Sequence, residues 1–345
     1  MRTRFLLALG VVAVIVGAVW WWQRSSLRAG TLLAPTVQDA GTVTIGVVDW
    51  PGYVALYVAR DQGYFRDAGL NVEIKRYAGL AELSQDYIAG KMQGRANISL
   101  DMVNEALGGL SQKVILVIDH SSGADAILAR PDIHDLSQAK GLRVAYEFNT
   151  LEEFLLTWAL RQYGLSLADI HGVSAMPEDA LKLLLAGTVD AAVSYEPFIS
   201  PALAAGTTHV VYSSKDAPGL IADLLTFRTD FLNAHPNEIH RLLQAYFKAF
   251  AFWKEHPNEA HAIVAKELHD TPENIAAQYA GVKVLDEAEN ATAFTFSGGI
   301  QSLYGNLRQV GEFVLSHRQG AATFDTDKLI DRTFIKALAE ERAAP

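Results

Sequence analysis

An α/β protein of two lobes with a helical tail is what this sequence predicts. Three observations carry that prediction. Short apolar or alternating runs of strand character alternate with helical stretches from Val43 onward, the pattern of a mostly parallel sheet with helices on both faces. The 345 residues exceed one ordinary core and suffice for two. From His235 the pattern turns to helices only. The tail is therefore expected to pack back on the first lobe, after the chain has crossed between lobes twice.

In the first unit, VTIGVVD (43–49) reads as a strand, running into Asp49-Trp50-Pro51-Gly52. Tyr53 to Gln62 then reads as a helix stopped at Gly63. NVEIKRYA (71–78) alternates as a strand does, and Leu80 to Gly90 is a helix with Gly90 at its C-terminal end. Ala96 to Leu100 is a short strand, Val103 to Leu110 a helix, and VILVIDHS (114–121) a buried strand. A second unit opens near Gly123. ADAILARPDI is a strand ending at a proline, and GLRVAYEF (141–148) a strand. The helix 149–165 follows, with Thr150 and Glu153 at capping-box spacing and Gly164 as its stop. HGVSAMP, VDAAVSYEP (189–197), HVVYSS (209–214) and DLLTFRTDFL (223–232) are further strands, with a helix from Glu178 to Ala186. In the tail, Leu242, Leu243, Tyr246, Phe250 and Trp253 form an apolar stripe of helical period, which reads as core packing.

The N-terminus speaks to location. Met1-Arg2-Thr3-Arg4 is basic, and Phe5 to Trp22 carries no charged side chain. Those eighteen residues would reach ~27 Å as a helix, close to the ~30 Å hydrocarbon core. Trp20, Trp21 and Trp22 close the segment like an interfacial belt. No clear small-residue cleavage site follows directly. An uncleaved anchor with the body outside is the preferred expectation, a cleaved signal the alternative. Residues 1–24 are thus taken as the signal or anchor helix and 25–41 as a linker.

Composition narrows the function. The net charge of −10 argues against a nucleic-acid partner, whose phosphates are bound by Lys and Arg. The chain has no cysteine, which removes disulfides, Cys–zinc sites and Cys nucleophiles. GxSxG, P-loop and GxGxxG motifs are missing, and the ten histidines show no metal-binding spacing. No catalytic residue, metal site or cofactor is expected.

Four segments carry a resemblance. DWPGYVALYVARDQGYFRDAGLNVEI, VIDHSSGADAILARPDIHDLSQAKGLRVAYE, ALKLLLAGTVDAAVSYEPF and LLTFRTDFLNAHPNEIHRLLQAYFKAF occur in this order over roughly residues 43 to 255. Together they resemble the NMT1/THI5-like group of ABC-transporter substrate-binding proteins. The resemblance implies a type II periplasmic-binding-protein fold with a two-strand hinge. Lobe I would comprise 42–122 plus 228–345, and lobe II 123–227. It also implies a monomer on the periplasmic face of the inner membrane, capturing a small molecule by lobe closure and delivering it to a permease. A menaquinone-pathway enzyme or a tethered sensor on the same fold is the rival reading.

Carried over position by position, the pattern implies a set of ligand-binding residues at strand ends and helix starts. Asp49, Trp50 and Tyr53 follow the first strand. Trp50 would stack on a flat ligand or stand as a half-buried hinge aromatic, and Tyr53 would do likewise or pack its helix. Ser99 and Asp101 lie at a helix start, where Asp101 would repel an anion or cap a helix from Met102. His120, Ser121 and Ser122 stand where the chain crosses, offering hydroxyls to a ligand or ordering a turn. Asp125 is expected to be structural in the hinge. Glu147 and Asn149 lie near the cleft mouth, Thr150 mainly caps, and Tyr195 and Glu196 end a strand. Glu196 would face the ligand or form a salt bridge across the hinge. Asp49, Asp101, Glu147 and Glu196 would make an acidic wall with aromatic neighbours. That composition suits a nitrogenous, heteroaromatic ligand such as a pyrimidine-type thiamine precursor. Taurine, an aliphatic sulfonate or nitrate is the alternative.

Overall fold

The computed structural model describes residues 40–318 and 325–343. The expected N-terminal helix and nearly all of the linker lie outside the described residues. Among the described residues no helix is long and apolar enough to cross a membrane.

The strands in chain order are β1 (Thr42–Val47), β2 (Asn71–Arg76), β3 (Gly94–Ile98), β4 (Gln112–Ser121), β5 (Asp125–Ala129) and β6 (Arg143–Tyr146). They continue as β7 (His171–Ser174), β8 (Ala191–Tyr195), β9 (His209–Ser213), β10 (Ala222–Arg228) and β11 (Val282–Val284). They form two sheets, one ordered β11-β4-β10-β3-β1-β2 and the other β7-β6-β8-β5-β9. Between these strands, parallel pairing is found for β1 with β2 and β3, and for β6 with β7 and β8. Each sheet also takes in a strand that has arrived from the other lobe. β10 lies antiparallel between β3 and β4, and β5 lies antiparallel between β8 and β9. The expectation of mostly parallel sheets is corrected accordingly: a strand entering without a crossover helix pairs antiparallel.

The chain leaves the first sheet between Ser121 and Asp125, and it returns between Ser213 and Ala222. The return therefore precedes β10, and the lobe boundary expected at 227/228 moves to the segment before Ala222. A second correction concerns the tail, which is not purely helical. The three-residue β11 adds to the edge of the first sheet beside β4. It is too short to show a strand period in the sequence.

The helix Val54–Asp61 runs beneath the first sheet with Val54 to Ala59 all buried. The long helix Pro236–Glu255 lies against it and buries Leu242, Leu243, Tyr246 and Trp253, so the aromatic stripe is core. At about 25 cal/mol per Å² of apolar surface, each such side chain contributes roughly 1.5–3 kcal/mol. The helix Leu151–Gln162 covers the second sheet. Its first turn reaches helix Leu303–Ser316, which packs on the first-lobe helix Ser99–Leu107. Phe154 and Phe313 meet there as tilted rings with centroids 5.1 Å apart, and His317 Nε2 lies 2.6 Å from Glu153 Oε1. The lobes thus meet away from their two crossings as well.

Candidate functional site

The stretch that follows β1 builds one wall of the junction between the sheets. Pro51 opens a single 3₁₀ turn, Pro51–Tyr53, which feeds helix Val54–Asp61. Proline suits that first position, because its missing N–H has no partner to lose. Trp50 Nε1–H donates to Asp119 Oδ2 at 3.1 Å, and Tyr53 Oη–H donates to Asp223 Oδ1 at 2.6 Å. A Cβ on Gly52 would stand 2.0 Å from Asp119 Oδ2 and 2.6 Å from Trp50 Nε1. Only glycine lets the turn close over this carboxylate.

The two acceptors belong together. Asp119 near the end of β4 and Asp223 near the start of β10 are direct partners across the ladder, which puts their Cα atoms about 5 Å apart on one face. Asp119 is 0% exposed and Asp223 4%. Asp119 Oδ1 has no hydrogen-bond partner. Burial first, then the facing charge of Asp223, pushes the Asp119 carboxyl well above the ordinary range. Asp223 is likewise raised by burial, with the Tyr53 hydrogen bond opposing and Asp101 adding.

Further carboxylates gather around this pair. Asp125, 6% exposed at the first residue of β5, is pushed up to about 7. Burial is the main cause, the Ser121 hydroxyl opposes it, and the Glu152 and Asp223 charges add to it. Asp101 Oδ2 is buried without a partner. Its carboxyl is raised by burial and held back by Arg95. Glu152, from the second lobe, is raised by burial, with Glu147 and Asp101 contributing. Glu147 is raised by burial alone. Tyr195 completes the set: burial and then Glu152, Asp125 and Glu147 push its phenol up to about 12.

The cation that acts on Asp101 is committed elsewhere. Arg95 on β3 is fully buried, ion-paired to Glu105, bonded to Ser84 Oγ at 2.9 Å, and 4.5 Å above the Tyr87 ring. Burial pulls its pKa down to about 10. Among the described residues no cluster of His, Asp and Glu has metal-binding geometry.

Of the residues expected at the site, the structure brings together Trp50, Tyr53, Asp101, Ser121, Glu147 and Tyr195. The expected acidic wall is redrawn. Asp49 is exposed and receives a two-pronged bond from Arg76, Nε at 2.9 Å and Nη2 at 2.8 Å. Glu196 accepts from Ser200, at 3.2 Å from the N–H and 2.7 Å from the hydroxyl. It thus spends its charge on a local turn and makes no bridge across the hinge. Asp101 caps no helix, because the helix begins at Ser99 with Ile98 before it, and Asp101 sits in its first turn. Ser99 is buried at that helix start. His120 lies on the strand face opposite Asp119, in register with Lys283. Burial and Lys283 draw its pKa down to about 4, leaving a neutral ring.

The hinge hydroxyls order the crossing. Ser121 Oγ and Ser214 Oγ are 2.7 Å apart, and Gly123 N–H donates to Ser214 Oγ at 2.7 Å. Ser122 N–H donates to Gly281 O at 2.8 Å. Thr150 precedes helix Leu151–Gln162 and bonds Glu147 O at 2.7 Å, while Asn149, at φ 63°, sends its N–H to Glu153 at 3.1 Å. Asn is among the few residues that adopt this left-handed conformation readily. The Thr150–Glu153 capping box does not form.

Asp119, Asp223 and Glu152 are not among the residues the sequence pattern singles out, and Asp125, expected to be structural in the hinge, joins them at the cluster. A signal existed for the first. A carboxylate inside the apolar run VILVIDHS is costly to bury unless it has a purpose or a partner.

Two mixed sheets joined by a double crossing, with the polar cluster at the junction, define the two-lobe type II fold of periplasmic binding proteins. The periplasmic aliphatic sulphonate-binding protein SsuA from Escherichia coli has this fold. It matches at a TM-score of 0.69 and 18% identity, over 86% of this chain and 99% of that one. The chain belongs to the NMT1/THI5-like family, which it matches over residues 50–260. Its relatives include a Bacillus subtilis (strain 168) protein named for binding aliphatic sulfonates, 24% identical over 84% of this chain and 86% of that protein. Another is a Haemophilus influenzae protein named for thiamine biosynthesis, 26% identical over 62% of this chain and 70% of that protein.

Proposed function

We propose that this protein is the solute-binding component of an ABC importer, and that it closes its lobes on a small, positively charged, nitrogen-containing ligand with a flat ring. A pyrimidine-type thiamine precursor is the class that fits best. The observation that carries this reading is the fully buried Asp119, with Oδ1 unpartnered, facing Asp223 beneath Trp50. A cationic ring would meet carboxylate acceptors on one side and an indole face on the other. A sulfonate or nitrate in the same place would face Asp119, Asp223, Asp125 and Asp101, with the Arg95 guanidinium already paired to Glu105. The family supports the binding-protein role, and the relative named for thiamine biosynthesis is consistent with the ligand class.

In this reading the protein acts outside the cytoplasm as a monomer and presents its closed form to a membrane permease. Binding requires no bond-making, so ligand is retained rather than turned over. Calorimetry on residues 41–345 with 4-aminopyrimidines, flat ammonium ions, taurine and nitrate tests it. Binding of the nitrogenous compounds without their conversion is expected. Micromolar taurine binding with no response to aminopyrimidines would overturn the ligand class, and conversion of a bound compound would overturn the non-enzymatic role.

A further inference from the structure

The carboxylates beneath Trp50 have a consequence for how a ligand is captured, one that rests on the cation-binding reading above. We infer that Asp119 and Asp223 share one proton in the unliganded protein and give it up to solvent when a cation seats beside them, so that capture exchanges a proton for the ligand's charge.

The geometry leads there step by step. The pair is held face to face by the backbone ladder, since Asp223 is registered against Asp119 in β10 and β4. Neither side chain can swing into water, because both are buried. Four carboxylate oxygens receive two side-chain hydrogen bonds, one from Trp50 and one from Tyr53, and Asp119 Oδ1 receives none. Two adjacent carboxylates in that condition cannot both stay ionised at modest cost, and one proton between them relieves both repulsion and desolvation.

The groups packed around the pair offer no alternative countercharge. From the turn after β1 come Trp50 and Tyr53, and from the following helix Tyr57. From β3 and its helix come Arg95 and Asp101, and from β5 Asp125. The tail contributes Tyr246 and Tyr279. Two of these groups, Asp101 and Asp125, are themselves acidic, the tyrosines are neutral, and Arg95 is ion-paired to Glu105. Burial and the mutual charge raise both carboxyls, in the direction the shared proton requires. The second negative charge is therefore tolerated only when a cation arrives: the pair then becomes fully ionised, the proton leaves to buffer, and the positive ligand takes the proton's place against the two carboxylates. A neutral isostere of the same shape releases no proton and gains no charge pairing.

The first measurement needs no ligand. Carboxyl ¹³C NMR on Asp-labelled protein, with the two signals assigned through D119N and D223N, is expected to show one proton across the pair at neutral pH. Two fully ionised carboxylates at neutral pH would overturn the proposal on the wild-type protein alone, whether or not the variants fold. The second measurement is calorimetry with N-methylpyridinium, whose charge does not titrate, in buffers of different ionisation enthalpy. Release of close to one proton per cation bound is expected. Affinity should rise by about tenfold per pH unit while the pair still holds its proton, then level off. Cation binding with no proton release overturns the exchange and leaves the cation-site reading intact. A shared proton in the NMR spectrum with no cation binding overturns that reading, and the exchange with it.

Discussion

Replacing Asp125 with Asn should stabilise the protein at neutral and alkaline pH. Asp125 stands at the first residue of β5, where the chain enters the second sheet, and is 6% exposed. Its carboxyl is raised from an ordinary 3.8 to about 7, mainly by burial, then by Glu152 and Asp223, against the pull of the Ser121 hydroxyl. Between those two values the unfolded chain has released its proton and the folded chain has kept it. The folded state binds more protons, so stability falls as pH rises, by up to about 1.4 kcal/mol per unit for one group. The loss is complete once pH passes the folded value. Roughly three units at that slope come to about 4 kcal/mol. Asn keeps the volume and an acceptor oxygen for the Ser121 hydroxyl but carries no proton to lose. Urea unfolding followed by tryptophan fluorescence, at a series of pH values from 4 to 8, reads the difference directly. Asp119 and Asp223 titrate in both proteins, and losing the Asp125 charge also eases the ionisation of Asp119, which adds to the variant's gain at higher pH. The two proteins should be similar near pH 4, with Asp125→Asn pulling ahead as pH rises. A difference that does not change with pH, or a variant less stable than wild type at pH 8, would refute the reasoning.

Two other changes test the same junction. Gly52→Ala places a methyl where Asp119 Oδ2 already stands, 2.0 Å from the new carbon. It should cost about 1–3 kcal/mol and abolish cation binding, read by denaturation and calorimetry. Arg95→Met leaves the buried Glu105 carboxylate without a countercharge, with only the Gln112 amide donating to it, and should cost about 3–5 kcal/mol, while the double change Arg95→Met with Glu105→Gln should recover most of it in the same urea assay.

The elements were legible because each is set by local pattern. The apolar runs of β1, β4, β5 and β8 announce buried strands, and Gly90 and Gly164 adopt the left-handed conformation that a helix stop requires. What stayed hidden was non-local. DLLTFR reads as a strand, but nothing in its own residues says that it inserts between β3 and β4 instead of completing the second sheet. β11 is three residues long and owes its existence to the free edge of β4.

The same division governs the site. Aromatic and acidic character at the strand ends could be read from the chain, and Trp50 and Tyr53 do sit there as donors. Which carboxylates they serve could not. Asp49 and Glu196 looked equivalent to Asp119 and Asp223 as letters, yet Arg76 and Ser200 claim the first two near the surface. The second pair is brought together only by the register of β4 and β10, across a sequence separation of 104 residues. A carboxylate placed in an apolar strand has lost its water, and so its protonation and its appetite for a cation depend on whatever the ladder sets opposite it. Here the ladder sets another carboxylate opposite. The chemistry of this junction is therefore a property of strand pairing, and the segment Trp50–Tyr53 delivers the two side-chain donors that reach the Asp119–Asp223 pair.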